Sequence, residues 1–294
     1  MKKLILSLFL LLMPVAQAKE IDKPVFTYGE TLTVMEKAKT REILEVSGDA
    51  EEVPVFTSEL NDLLHDKTEY YQVISSAYIE PSKDEGVSTK IVTPDTITEK
   101  TENQYTNAAI TAGATNVNIK IASVRPVDGS GALAGLYKTY RDNGFELDSK
   151  NVEVAQEELA VISEIAKNEN NTDDQLTAAI ANMKKDIIDL KAGKSNYSSV
   201  DEIVIENINI YNLNVSDDDI DKIKDLMNKF STIQLTDEQK EALTNLANKL
   251  LDNGGDFVEN ARNHLKGSLN EEDKAEIQSL WQRIVEFFKG LFDF

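Results

Sequence analysis

The chain has 294 residues, 52 acidic against 31 basic, for a net charge of -21, and no cysteine. Without cysteine there are no disulfides, thiolate metal sites, cysteine nucleophile or lipid-modified cysteine anchor, so stability must come from core packing. So acidic a surface repels nucleic acid and anionic lipid.

The first eighteen residues read as a secretory signal peptide: Lys2 and Lys3, an apolar run from Leu4 to Val15, then Ala16-Gln17-Ala18 with cleavage after Ala18. The apolar run is shorter than the roughly 20 residues a membrane span needs. A secreted, extracellular protein follows, held at the cell surface without a covalent bond if held at all, since no Leu-Pro-x-Thr-Gly sorting signal is present.

Glu20 to Tyr28 leads into a first strand, and Thr33-Val34-Met35-Glu36 has the form of a capping box opening a helix to about Leu44. Glu52 to Phe56 reads as a strand that Pro54 confines to an edge or a strand start. Thr57 to His65 is a short helix. Tyr70 to Glu80 and Val87 to Thr93 are strands, with a turn at Pro81 to Gly86. Thr101-Glu102-Asn103-Gln104 boxes a helix that stops at Gly113. Val117 to Ser123 alternates as a strand should, passes through Asp128-Gly129-Ser130-Gly131, and enters a helix with Leu133, Leu136, Tyr137 and Tyr140 on one face. This mixture predicts an α+β protein whose N-terminal layer domain, residues 19–147, closes near Gly144.

Beyond Leu147 helical periodicity takes over, giving a mainly helical region over 148–294. Val152 to Lys167 is one helix. Thr172-Asp173-Asp174-Gln175 boxes a second, whose Leu176, Ile180, Met183, Ile187 and Leu190 form a coiled-coil-like seam ending at Gly193. Val200 to Tyr211 alternates and predicts a strand or extended arm. Ser216 caps a helix with Ile220, Ile223, Met227 and Phe230 inward. Thr236-Asp237-Glu238-Gln239 boxes another with Leu243, Leu246 and Leu250 inward, ending at Gly254-Gly255. A short helix at Phe257 to Leu265 is followed by an aromatic tail carrying Trp281, Ile284, Phe287, Phe288, Leu291 and Phe292. Arg283 and Lys289 are offset by Glu286 and Asp293, so this face suits packing on the protein's own helices or a second copy better than anionic lipid.

Several stretches resemble the YpuA-like family of secreted proteins of Gram-positive bacteria, a domain of unknown function. They are Tyr28-Gly29-Glu30-Thr31-Leu32, Ile74-Ser75-Ser76-Ala77-Tyr78-Ile79, Tyr105 to Ala114 (YTNAAITAGA) and Val127 to Gly135 (VDGSGALAG). They occur in the family's order from about Tyr28 to Tyr140, and Phe287 to Phe292 looks like its tail. The resemblance implies a secreted, envelope-associated protein and no enzyme activity.

Little in the sequence points to chemistry. Gly129-x-Gly131-x-x-x-Gly135, between a strand and a helix, lies where backbone N–H groups could hold an anion. Yet the spacing is not G-x-G-x-x-G, and Asp128 repels phosphate, so a tight turn and close helix packing is the preferred reading. Ser130 beside Asp128 has no base placed by sequence. His65 and His264, one in each half, form no zinc pattern. Asp217-Asp218-Asp219 suits a helix start without an EF-hand's glycine and distal Glu. Ser75 and Ser76 could present hydroxyls from a strand. The expectation is a non-catalytic binding or structural interaction protein without a cofactor or metal, whose partner is a cell-wall or surface component or a second copy. Ser75, Ser76, Asp128, Gly129, Ser130 and Gly131 are its candidate ligand-binding residues. The alternative is an envelope hydrolase or transferase with its site near Asp128 to Gly131.

Overall fold

The computed structural model describes residues 21–84, 86–143, 148–169 and 171–253. The expected signal peptide with Ala16 and Ala18, the closure near Gly144, His264 and the aromatic tail lie outside them. Five strands and nine α-helices are present among the described residues, making an α+β protein.

The strands are β1 (Val25–Gly29), β2 (Glu51–Val55), β3 (Ser76–Pro81), β4 (Val87–Ile91) and β5 (Val117–Ala122). Their spatial order is β2-β1-β3-β5-β4, with β1 parallel to β2, β4 parallel to β5, and β3 antiparallel to both its neighbours. Pro54 sits in β2, an edge strand, where a missing N–H costs the sheet least. Alternation along the strands sends Phe26, Tyr78 and Ala122 to one face, with Leu44, and Ala77, Ile79, Ile119 and Ile121 to the other. The first face is covered by α1 (Val34–Ile43), opened by the full Thr33–Glu36 capping box. The second is covered by α2 (Leu60–Leu64), α3 (Glu102–Ala112) and α4 (Ser130–Asp142), whose Tyr105, Leu133, Leu136 and Tyr137 fill the layer between.

The strand expected over Tyr70 to Glu80 begins only at Ser76. β1 ends at Gly29, and the backbone pairing with the segment before Ser76 ends with it. A side chain substitutes: Thr31 Oγ1 donates to the Val73 carbonyl at 2.6 Å and accepts from the Val73 N–H at 2.9 Å.

The helical part comprises α5 (Ser149–Glu169), α6 (Asp173–Lys191), α7 (Val200–Ile210), α8 (Asp217–Thr232) and α9 (Asp237–Asn253). The strand or arm expected over Val200 to Tyr211 is instead α7. Ser199 caps it by accepting from the Glu202 N–H at 3.2 Å, and Ile203, Val204, Asn207 and Ile208 are buried at helical spacing. Packing against α6 and α8 overrides the local alternation and leaves Ile205 exposed, a residue that alternation places beside Ile203. The box expected at Thr172 is half formed. Thr172 accepts from the Gln175 N–H, but the Gln175 side chain donates to the Tyr211 carbonyl at 2.9 Å, fastening α6 to the end of α7.

Packing runs across the boundary expected at Leu147. Val152, Ala155 and Leu159 of α5 belong to the core over the sheet, while Ile110 of α3 belongs to the helical core. Gln239 of α9 donates to the Ile110 carbonyl at 3.0 Å, and Asn103 of α3 reaches Asp174 of α6 at 3.1 Å. At the centre of this junction Lys184 of α6 and Glu158 of α5 form an ion pair with no solvent exposure. Lys184 Nζ also donates to Asn107 Oδ1 at 3.0 Å and Thr111 Oγ1 at 2.8 Å, both on α3, and Asn107 Nδ2 donates to Glu158 Oε1 at 2.6 Å. Burial pushes the Glu158 carboxyl up and the Lys184 amine down, and each partner's charge opposes that push on the other.

Two outcomes follow from this junction. A fragment of residues 21–143 strips the cover from α3, so its thermal melt by near-ultraviolet circular dichroism should lack the cooperative transition of the whole chain; a sharp transition with native-like signal would show that the sheet part folds alone. Glu158→Ala leaves an uncompensated buried ammonium and should cost about 3–5 kcal/mol in chemical denaturation.

Candidate functional site

The expected turn lies where the polypeptide leaves β5 and enters α4. Gly129 has φ of +96°, a conformation that disfavours any side chain, and a Cβ there would collide with the Tyr105 hydroxyl. Gly131 does not share that backbone requirement; its constraint is space, because a Cβ would lie 2.7 Å from Val73 Cγ1 and 3.0 Å from Ser75 Oγ. One turn along α4, a Cβ on Gly135 would strike Thr27 of β1. The glycines therefore bring α4 down onto the sheet, against Ser75 and Thr27.

The side chains around the turn engage one another. The Ser130 hydroxyl donates to Asp128 Oδ2, and the Ser130 N–H donates to Asp128 Oδ1 at 3.1 Å. Ser75 Oγ accepts from the Ala132 N–H at 3.0 Å. Thus two of the N–H groups at the start of α4, the groups that would hold an anion, are already taken by the protein's own carboxylate and hydroxyl. Lys100, on the loop leading to α3, donates to the Asp128 carbonyl at 3.3 Å and Ser130 Oγ at 3.4 Å, and its Nζ stands 3.6 Å from Asp128 Oδ2. Tyr105 donates to the Gly129 carbonyl at 2.9 Å. Ser75 and Ser76 are both buried, Ser76 with its hydroxyl turned to the Ile74 carbonyl.

The structure thus brings Ser75, Asp128, Gly129, Ser130 and Gly131 together and leaves Ser76 inside the sheet. Sequence reasoning missed Lys100 and Tyr105, which lie 28 and 24 residues before their partners. An isolated bridge between Ile97 and Val127 ties their segment to the turn.

Burial works against the charge of Asp128, but the Lys100 ammonium and the two bonds from Ser130 outweigh it and hold the carboxyl below its ordinary value. A carboxylate so stabilised is a weaker base, and an ammonium donates protons without accepting any. The arrangement fixes Ser130 in place. Two surface cavities lie elsewhere. One, of about 390 Å³, is bordered by Glu99, Lys167 and Asp173; the other, of about 350 Å³, lies between β4 and α9. Neither is lined by Asp128, Ser130 or a histidine. No cluster of three or more metal-ligating side chains occurs among the described residues.

The same end of the sheet carries exposed apolar side chains. Val34 is 87% exposed, Met35 83% and Tyr71 82%. Val34 and Met35 open α1 shortly after Thr31, and Tyr71 stands two residues before Val73, so the Thr31–Val73 bonds join the two segments.

A family model described as "Protein of unknown function (DUF1002)" matches residues 28–249. The chain is also 28% identical over 284 residues to "Uncharacterized protein YpuA" of Bacillus subtilis (strain 168), covering 90% of this chain and 89% of that protein. No solved structure matches the chain.

Gly131→Val should lower stability by about 1–3 kcal/mol through overpacking against Val73 and Ser75, measured by denaturant unfolding. Because the Asp128 pKa is lowered by folding, its contribution to stability is complete above the ordinary aspartate range. It is lost as pH falls through that range to the lower folded value. Asp128→Asn should remove this part of the acid-side loss; an unchanged pH–stability curve would show that the contacts of Asp128 do not stabilise the fold.

Proposed function

The chain belongs to this family of proteins of unknown function, and we propose that it is a secreted, non-catalytic binding protein of the cell envelope. The observation that carries this reading is the coincidence, at one end of the sheet, of three highly exposed apolar side chains with a polar turn whose groups bind one another. Exposed apolar side chains on ordered backbone lose little conformational freedom on binding, and their burial supplies the driving force. Val34 and Met35 stand on a capped helix, and Tyr71 is followed by the segment fastened at Val73. With a net charge of -21, the protein is poorly suited to polyanions through charge, which favours an apolar contact as the anchor. A cell-wall component is the partner we assign to this surface.

The alternative, a hydrolase or transferase acting through Ser130, would require the hydroxyl to be released from Asp128 and given a base. Ser130→Ala separates the two readings: it should lower the melting temperature modestly, because the hydroxyl's bond to Asp128 is lost, and leave binding intact, whereas a large functional loss in a variant that remains folded would favour the enzyme.

The binding reading is tested by co-sedimentation with purified cell wall. The triple variant Val34→Ser, Met35→Ser, Tyr71→Ser should keep its melting temperature, because these side chains are exposed, and should bind at least roughly tenfold more weakly, a loss of about 1.4 kcal/mol. Equal sedimentation of variant and wild type would overturn the assignment of this surface. Self-association in the wild type that disappears in the variant would give the surface to a second copy instead.

A further inference from the structure

The buried group at the junction of α3, α5 and α6 has three members whose chemistry is complementary. Lys184 is a primary amine, Asn107 a carboxamide, and Glu158 a carboxyl group bonded to both. We propose that Lys184 and Asn107 join in an intramolecular isopeptide bond, formed by the protein itself with Glu158 as the proton-transfer group.

The orientation of the amide supports this. A lysine ammonium has donors only, so the Asn107 atom facing it is the carbonyl oxygen. An ionised carboxylate accepts only, so the atom facing Glu158 is the amide nitrogen. Nζ therefore lies 3.0 Å from the oxygen of the carbonyl it would attack, and the leaving nitrogen lies 2.6 Å from the group that would protonate it. Thr111 positions the amine: its hydroxyl donates to the Asn107 backbone carbonyl at 2.9 Å and its oxygen accepts from Nζ at 2.8 Å. The surroundings are dry. Lys184, Glu158, Asn107 and Thr111 have essentially no solvent exposure, Met183, Ile162 and Ile187 belong to the adjacent core, and the Phe230 ring centroid is 5.3 Å from Nζ.

The step balances without a co-reactant. A proton passes from the Lys184 ammonium to Glu158, giving a neutral amine and a neutral acid. Burial drives this transfer, raising the carboxyl's proton affinity and lowering the amine's. The Nζ lone pair then forms a bond to Asn107 Cγ. Glu158 takes a proton from Nζ and delivers one to Nδ2, the Cγ–Nδ2 bond breaks, and ammonia leaves. Fixing amine and amide side by side supplies the effective concentration that makes so sluggish a reaction possible, and the absence of water protects the product from hydrolysis. The bond would tie positions 77 residues apart, limiting the unfolded chain in a protein that has no cysteine.

Mass spectrometry of the purified, denatured full chain tests this directly. The expected result is an intact mass lower by one ammonia than that calculated for the chain's amino-acid sequence, with a branched tryptic peptide joining the segments that carry Asn107 and Lys184 and no cleavage after Lys184. Glu158→Gln and Lys184→Arg should keep their full mass and yield no branched peptide. A folded wild type that retains its full mass after prolonged incubation overturns the proposal. So does a loss of ammonia without the branched peptide, which marks succinimide formation at a single asparagine. A branched peptide in Glu158→Gln overturns the role given to Glu158. Should either variant fail to fold, the mass and peptides of the wild type decide alone.

Discussion

Lys184 enters the protein interior from α6, and each of the groups that satisfy it comes from another helix: Glu158 from α5, Asn107 and Thr111 from α3. A buried charge without such partners is far too costly to tolerate, and the attraction of a single partner rarely repays desolvation. The consequence is geometric. Helices α3, α5 and α6 must meet in one register, because a shift of one turn in any of them leaves a charge or an amide unpaired. Apolar packing alone permits many arrangements of five helices against a layer; this polar group selects one. The sheet is drawn in because α3 is also a wall of the core beneath β3 and β5, through Tyr105, Ala108 and Ala109. The Gln239 bond to the Ile110 carbonyl extends the same fixing to α9.

The end of the sheet at the start of α4 follows a different logic. There the chain uses glycine to bring backbone close to backbone, and short hydroxyl side chains to satisfy what strands and helices leave open. Thr31 bonds Val73 beyond the end of β1 at Gly29, and Ser75 accepts from an N–H in the first turn of α4. Asp128 occupies the start of α4 that an anion would otherwise take. The result is an ordered platform whose polar groups bind one another, with Val34, Met35 and Tyr71 left outside. Large side chains held out on a fixed backbone are the features of this end that a partner could use without disturbing the fold.

Much of this architecture was legible from residues alone, because the signals are local. The capping boxes at Thr33, Thr101 and Thr236 have both reciprocal bonds, and Gly113 ends α3 with φ of +127°. Pro54 marked an edge strand correctly. What the sequence concealed is set by distant partners. Val200 to Tyr211 alternates like a strand, yet Asn207 turns inward to Asn182 at 2.7 Å and Asp186 at 3.0 Å, bonds that exist only once α6 is in place. Glu158 and Lys184 stand beside Leu159 and Met183, so in the sequence they read as flanks of an apolar seam; burial reverses that reading. Gly129 and Gly131 look equivalent in the sequence, although one answers a backbone angle and the other a close contact. The apolar platform had no local signal at all, since Val34 and Met35 fit equally well on the buried face of a helix.

The central claim is that the polar group on α3, α5 and α6 makes the sheet layer and the helices one cooperative unit. Native-state hydrogen exchange in low denaturant tests it most directly. The slowest amides of α3, β3, β5 and α6 should share one opening free energy, equal to that of global unfolding, and respond alike to denaturant. Amides of α6 that exchange through a smaller opening, while β3, β5 and α3 stay protected, would contradict it.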